Sequence, residues 1–350
     1  MRNLPLPLPL LGALCALMGA GALAGECPPG NINVKDRPAI EGAFIESETI
    51  EKVVYYLGNP KDSHSAKSEL THDKYLNVTW NGAEDGNFLA GQVAYEKGEW
   101  EKAGEFFKKS LGSAKWFWEI ELCYLHCAEC FGKSAPPRTD DALAMLKELG
   151  EKFPQTVHLP ELVAHRAALL LAKGDFEAAL ADYRMMVRNG AQWGGSATRD
   201  GMLGQRNVLR AQKKFDAAIA LLAPEFAKLA PEAAAEEFAP YGLALVEDLE
   251  AGGKAAEAMA ACKRIYLAPI GPEAQSKAHL KAARLLAAGN TTAANIAAFD
   301  QAALAATMSA DDETELAAKK LARELVTRID KDKAVSDNDR KEYRKYASML

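Results

Sequence analysis

The densest run of potentially reactive side chains is Cys123-Tyr124-Leu125-His126-Cys127-Ala128-Glu129-Cys130. On a helix, Cys123, His126, Cys127 and Cys130 fall on one face, because their offsets are zero, three, four and seven. Thiolates and an imidazole are ligands for zinc or copper, and clustered thiols can do redox chemistry. Two facts weigh against those uses. Side chains on one straight helix diverge and do not close a tetrahedral shell unaided. Haem attachment needs His after the second cysteine of a C-x-x-C pair, and Phe131 stands there. With Ile120 the same cysteines continue an apolar stripe, and free cysteine is a common small core residue. Core thiols or disulfides are the leading reading, and a redox or metal-binding module centred on Cys123–Cys130 is the alternative.

The remaining chemistry is sparse. The sequence contains no H-E-x-x-H, G-x-S-x-G, P-loop or dinucleotide fingerprint, and its six histidines are scattered. No catalytic residue, metal or cofactor is expected. A net charge of −6 without a basic stripe argues against nucleic acid. Two aromatic features remain as binding anchors or packing groups: Trp116-Phe117-Trp118, and Trp193 in a Gly-rich stretch read as a loop, 189–196.

The elements that must carry these residues repeat. Alanines fall at Ala103, Ala142, Ala179, Ala218, Ala258 and Ala294, with gaps of 39, 37, 39, 40 and 36 residues. Each follows an apolar run, a short turn and an aromatic or small residue. Periods of this length signal stacked units that cannot bury their apolar faces alone. Paired helices are expected over 87–97 and 100–111, 115–131 and 140–153, 159–173 and 176–188, 199–212 and 215–229, 236–251 and 255–267, and 273–288 and 291–307. Helices over 313–330 and 338–348 follow, the last strongly charged, as an array needs to close its final apolar face.

The fold class is therefore all-α: an α-solenoid of about five to six antiparallel helix pairs. It spans 87–307, with capping helices over 308–350 and a short non-repeating N-terminal arm over 25–86. Within the arm, Val53-Val54-Tyr55-Tyr56-Leu57 and Tyr75-Leu76-Asn77-Val78-Thr79-Trp80 are β-prone. A two-stranded ribbon and a short helix near 43–57 are both open there. Residues 1–24 read as a cleaved secretory signal: Arg2, an apolar run from Leu4 to Leu23, and Ala22-Leu23-Ala24 before Gly25. Pro5, Pro7 and Pro9 disfavour a spanning helix, so no membrane span is expected after cleavage. An exported chain meets an oxidising compartment. Its cysteines, Cys27, Cys123, Cys127, Cys130 and Cys262, are odd in number, and a link from Cys27 to the Cys123–Cys130 segment is expected.

The pattern resembles the tetratricopeptide repeat. Gly91, Tyr95, Gly98, Trp100, Ala103 and Phe107 fill the small, aromatic, turn, aromatic, alanine and aromatic positions of the first unit. Ala167, Gly174, Phe176, Ala179 and Tyr183 do so in the third, and Phe215, Ala218 and Leu222 in the fourth. The fifth and sixth are degenerate, with Gly253, Ala258 and Cys262, then Gly289, Ala294 and Ala298. The resemblance covers about 85–305, with spacings longer than the family's 34 residues.

It implies that the first helix of each pair lines a concave groove. The implied groove residues are Phe88, Gln92 and Tyr95, then Glu161 and Ala164, then Leu203, Asn207 and Arg210, then Leu243, Glu247 and Glu250, then His279. The Lys/Asn set with which some family members clamp a terminal carboxylate is missing. The resemblance thus implies a non-catalytic exported or periplasmic scaffold that binds a protein or peptide, in the manner of repeat proteins of envelope assembly or secretion. Carbohydrate or wall-polymer binding through Trp193 and Tyr95 is a further alternative.

Overall fold

The computed structural model describes residues 27–62, 64–83, 85–232 and 235–350. The expected signal, 1–24, lies outside the described residues. The chain forms two units, one ending at Asp182 and the other beginning at Tyr183.

The first unit opens with strands rather than a short arm. Buried and outward residues alternate over β1 (Pro29–Val34), β2 (Ile40–Glu48) and β3 (Lys52–Leu57), as a half-covered sheet requires. With β4 (Ala66–Thr71) and β5 (Tyr75–Trp80) they make one antiparallel sheet of order β4-β3-β2-β1-β5. The two β-prone segments are both strands, yet they do not pair with each other: β3 lies between β2 and β4, and β5 lies against β1. The short helix near 43–57 does not form. Three further strands give the sheet a core that a lone hairpin lacks. That core is Ile32, Ala43, Ile45, Val53, Tyr55 and Tyr75, with Phe117 from the helical part packed against it.

Six helices follow: α1 (Gly86–Glu96), α2 (Trp100–Ser110), α3 (Phe117–Lys133), α4 (Thr139–Lys152), α5 (Leu159–Lys173) and α6 (Phe176–Trp193), the last crossing the unit boundary. The second unit continues through α7 (Gly195–Ala211), α8 (Phe215–Lys228), α9 (Ala235–Ala251), α10 (Ala255–Tyr266), α11 (Pro272–Ala287), α12 (Thr292–Met308), α13 (Asp312–Lys331) and α14 (Asp337–Met349). From α1 to α5 and from α7 to α14, each helix packs on the next. The first helix of a pair also touches the first helix of the following pair: α1 on α3, α3 on α5, α7 on α9, α9 on α11. Helix-on-helix stacking of this kind is the expected solenoid arrangement.

Close approach explains the small residues. A methyl group on Gly91 would lie 2.8 Å from the Phe107 ring, and one on Gly204 2.2 Å from the Tyr183 ring. The repeating alanines Ala103, Ala142, Ala179, Ala218 and Ala258 are wholly buried, each the fourth residue of its helix. In α12 the phase slips by one. Ala294 is the third residue there and is half-buried, and Asn295 takes the interior position.

Candidate functional site

The cysteine cluster resolves into core packing. Cys123, Cys127 and Cys130 lie on α3 and are wholly buried; the Cys127 thiol donates to the Gly104 carbonyl at 3.3 Å. Burial pushes the Cys123 and Cys130 thiols up to about 12 and Cys127 up as well, the opposite of what a reactive thiolate needs. The expected link from Cys27 does not form. All five described cysteines are free, and half-buried Cys27 stands instead beside Glu46 and Lys67 of the sheet. His126 leaves the cluster too, tilting against Tyr95 and Phe107. Among the described residues no group of three or more His, Cys, Asp or Glu is placed to hold a metal ion.

In the first unit, the implied groove residues divide. Phe88 is wholly buried, edge-on to Phe107 and Trp118 at 5.7 Å from each; it faces its own partner helix and cannot meet a ligand. Tyr95 is half-buried and donates to Glu129 Oε2 at 2.7 Å, while Lys133 reaches Glu129 Oε1 at 2.6 Å. The His126 imidazole beside it, then Lys133 and Tyr95, hold the Glu129 carboxyl far below its ordinary value. Burial and Glu129 push the Tyr95 phenol up to about 12. Gln92, one turn earlier, is exposed.

In the second unit, α7, α9 and α11 are joined by a ladder of charges. Arg206 Nε donates to both Asp248 oxygens, at 2.8 and 3.0 Å, and its Nη2 donates to Glu247 and to the Ala244 carbonyl, each at 2.9 Å. Arg210 donates to Asp248 at 3.0 Å, and Lys281 to the other oxygen of Glu247 at 2.9 Å. Burial opposes the charge on Arg206, but the bonds to Asp248 and Glu247 outweigh it and raise its pKa. Burial likewise opposes ionisation of Glu247, and Lys281 and Arg206 reverse it. Arg210 and Glu247 are thus half-buried cross-helix ties, whereas Asn207 and Glu250 on the same helices are exposed. His279 faces away from this ladder: it is buried, stacked on Tyr266 at 4.3 Å and bonded to Gln301 at 2.7 Å.

Trp193 is the last residue of α6, half-buried, and not in a loop. Only Gly194, at φ +102°, separates α6 from α7. Gly190, within α6, leaves room for α7: a Cβ there would strike the Thr198 hydroxyl.

One buried polar cluster escapes sequence reasoning altogether. Tyr75 Oη donates to Glu48 at 3.3 Å, and Thr156 Oγ1 donates to Glu121 at 3.0 Å. His158 stands near both carboxyls and bonds to Glu161 at 3.2 Å. Burial raises Glu48 and Glu121 to about 7. A bridge between Thr49 and Thr156 fastens the sheet to the α4–α5 connection at the same place. The hint in the sequence is Glu121, set within the otherwise apolar run from Ile120 to Leu125 of α3.

No protein-family model matches the chain, and no curated protein matches it either. Among solved structures, yeast Tom70 is similar at 18% identity and a TM-score of 0.42, over 61% of this chain and 42% of Tom70. A TPR repeat-containing protein of Cytophaga hutchinsonii is similar at 14% identity and 0.42, over 71% and 97%. The TPR2AB domain of yeast Sti1, solved in complex with pHSP90, is similar at 13% and 0.29, over 70% and 97%. Scores this low carry no argument about partner or mechanism. The helix pairs speak for themselves: glycines set against aromatic rings and buried alanines at the fourth position of successive helices make this a tetratricopeptide-like array with a five-stranded sheet at its N-terminal end.

Proposed function

We propose that the chain is a non-catalytic, exported scaffold that holds a protein or peptide segment on the first-helix face of its second unit. The observation that carries this reading is the ladder from Arg210 through Asp248, Arg206 and Glu247 to Lys281. It fixes three first helices and their polar side chains before any partner arrives, and preordered groups lose less entropy on binding. Exposed Glu250 flanks it with a carboxylate that can accept from an extended backbone, and exposed Asn207, whose Oδ1 accepts from Arg206 Nη1 at 3.1 Å, keeps its amide N–H groups for the same use. Export rests on the signal-like residues 2–24.

The test is capture from an extract of the host's envelope, with the full chain compared against an Asn207→Ala/Glu250→Ala variant. A partner retained by the parent and lost by the variant, at an unchanged melting temperature, supports the reading. Equal capture by both overturns it. N-terminal mass analysis of the secreted chain checks the export half: an intact Met1 would contradict cleavage.

A further inference from the structure

Between α12 and α14 lies an open hollow of about 550 Å3, away from the first-helix face. Phe299 and Tyr343 line it edge to face, with ring centroids 5.1 Å apart. Leu304 and Tyr346 extend the apolar lining and are 43% and 57% exposed. Three carboxylates, Asp300, Asp339 and Glu342, share this lining. Asp339, Glu342, Tyr343 and Tyr346 reach it together because offsets of zero, three, four and seven share one helix face.

No cation among the described residues pairs with any of these carboxylates. The arginines of α14 are used elsewhere: Arg340 donates to the Asp332 and Val335 carbonyls and pairs with Asp337, and Arg344 pairs with Asp330. Lys341 and Lys345 are outside the lining. Burial raises the Asp300 carboxyl, and burial with the Asp300 and Asp339 charges raises the Tyr343 phenol, so the ring and both carboxylates share one environment.

We propose that this hollow receives the lysine or arginine side chains of a basic peptide segment. Aromatic faces attract cations, carboxylates accept their N–H groups, and the aliphatic stems of these residues cover apolar surface. An acidic guest would meet three like charges. Three carboxylates exceed what one basic side chain neutralises, and the lining runs along two helices, so a segment with several basic residues fits better than a single amine. The proposal does not depend on the first-helix reading.

The probes are a fluorescein-labelled peptide, acetyl-Arg-Ala-Arg-Ala-Arg-Ala, and its counterpart with Glu for Arg, titrated by anisotropy against the full chain. Binding of the arginine peptide alone is expected, weakened about tenfold by Asp300→Asn/Glu342→Gln and also weakened by Tyr346→Ala. A Glu96→Gln/Glu101→Gln variant removes the same charge from α1 and α2 and should bind as the parent does. Equal loss in that control would reduce the effect to net charge and overturn the proposal. So would undiminished binding by Tyr346→Ala, or no binding of the arginine peptide to the parent chain.

Discussion

Arg206 and Asp248 form a buried pair, 8% and 0% exposed, that bolts α7 to α9 across 42 residues of sequence. Two charges are held out of water there, and the remaining lone pairs and protons go to Arg210, Glu247, the Ala244 carbonyl and Asn207 Oδ1. Removing one member of such a pair strands the other. Asp248→Ala should therefore cost about 3–5 kcal/mol in urea unfolding of the second unit. Replacing both, as Arg206→Met/Asp248→Leu, should return most of that loss, because no buried charge is left unpaired. Equal damage from the single and double variants would mean that the geometry, not the charge, is what the site supplies.

Asn295 occupies the interior position that alanine fills in the preceding units. It is 5% exposed, and its Oδ1 has no hydrogen-bond partner among the described residues. An unsatisfied buried carbonyl costs about 1–3 kcal/mol. Asn295→Ala should therefore stabilise the second unit by about 1 kcal/mol, visible as a raised urea midpoint with an unchanged slope. A lowered midpoint would show that the amide has a use that its contacts do not reveal.

The array was legible because its signals are local. The alanine period and the glycines opposite Phe107 and Tyr183 lie within one or two helices of what they touch. The sheet was not, because β1 finds its partner β5 some 50 residues on, Gly30 against Trp80, and because polar β4 has no alternation to read. Register along a helix was the second blind spot. Phe88 sits one turn before Gly91 on the face that meets Phe107, so the side chain expected to meet a ligand is in the core. The charges of the ladder were visible as residues, but nothing local said that Arg210 and Glu247 were already engaged.

The buried carboxyls beside the sheet make the first unit sensitive to pH. Glu48 and Glu121 rise from 4.5 to about 7 on folding, chiefly by burial. A raised folded value means that the protonated form is favoured in the native state. The associated stability is fully present below about 4.5 and lost as pH climbs through 7. His158, held above its ordinary value by Glu161 against its own burial, shifts in the same sense. The stability of the first unit to urea should thus be lower at pH 8 than at pH 5 by about 2 kcal/mol for each of the two carboxyls. A Glu48→Gln/Glu121→Gln variant should flatten that slope. An unaltered slope would place the dependence on other groups.

Thiol chemistry separates packing from redox use. Cys123, Cys127, Cys130 and Cys262 are wholly buried with raised pKa values, whereas Cys27 is half-buried. Iodoacetamide at pH 8 should modify Cys27 first in the native chain and the other four only on unfolding. Rapid native labelling within the Cys123–Cys130 segment would restore the redox alternative.

Gly204 offers a test in which the sign alone decides. If helix propensity governed this position, Gly204→Ala would stabilise α7 by about 1 kcal/mol. The added methyl would instead fall 2.2 Å from two atoms of the Tyr183 ring, which is only 8% exposed. Overpacking of that kind costs about 1–3 kcal/mol, so the net effect should be destabilising despite the better propensity. Pairing the change with Tyr183→Leu should recover part of the loss, and such non-additivity identifies direct contact. A stabilised single variant would mean that α6 and α7 are not in the close contact on which the helix-pair architecture depends.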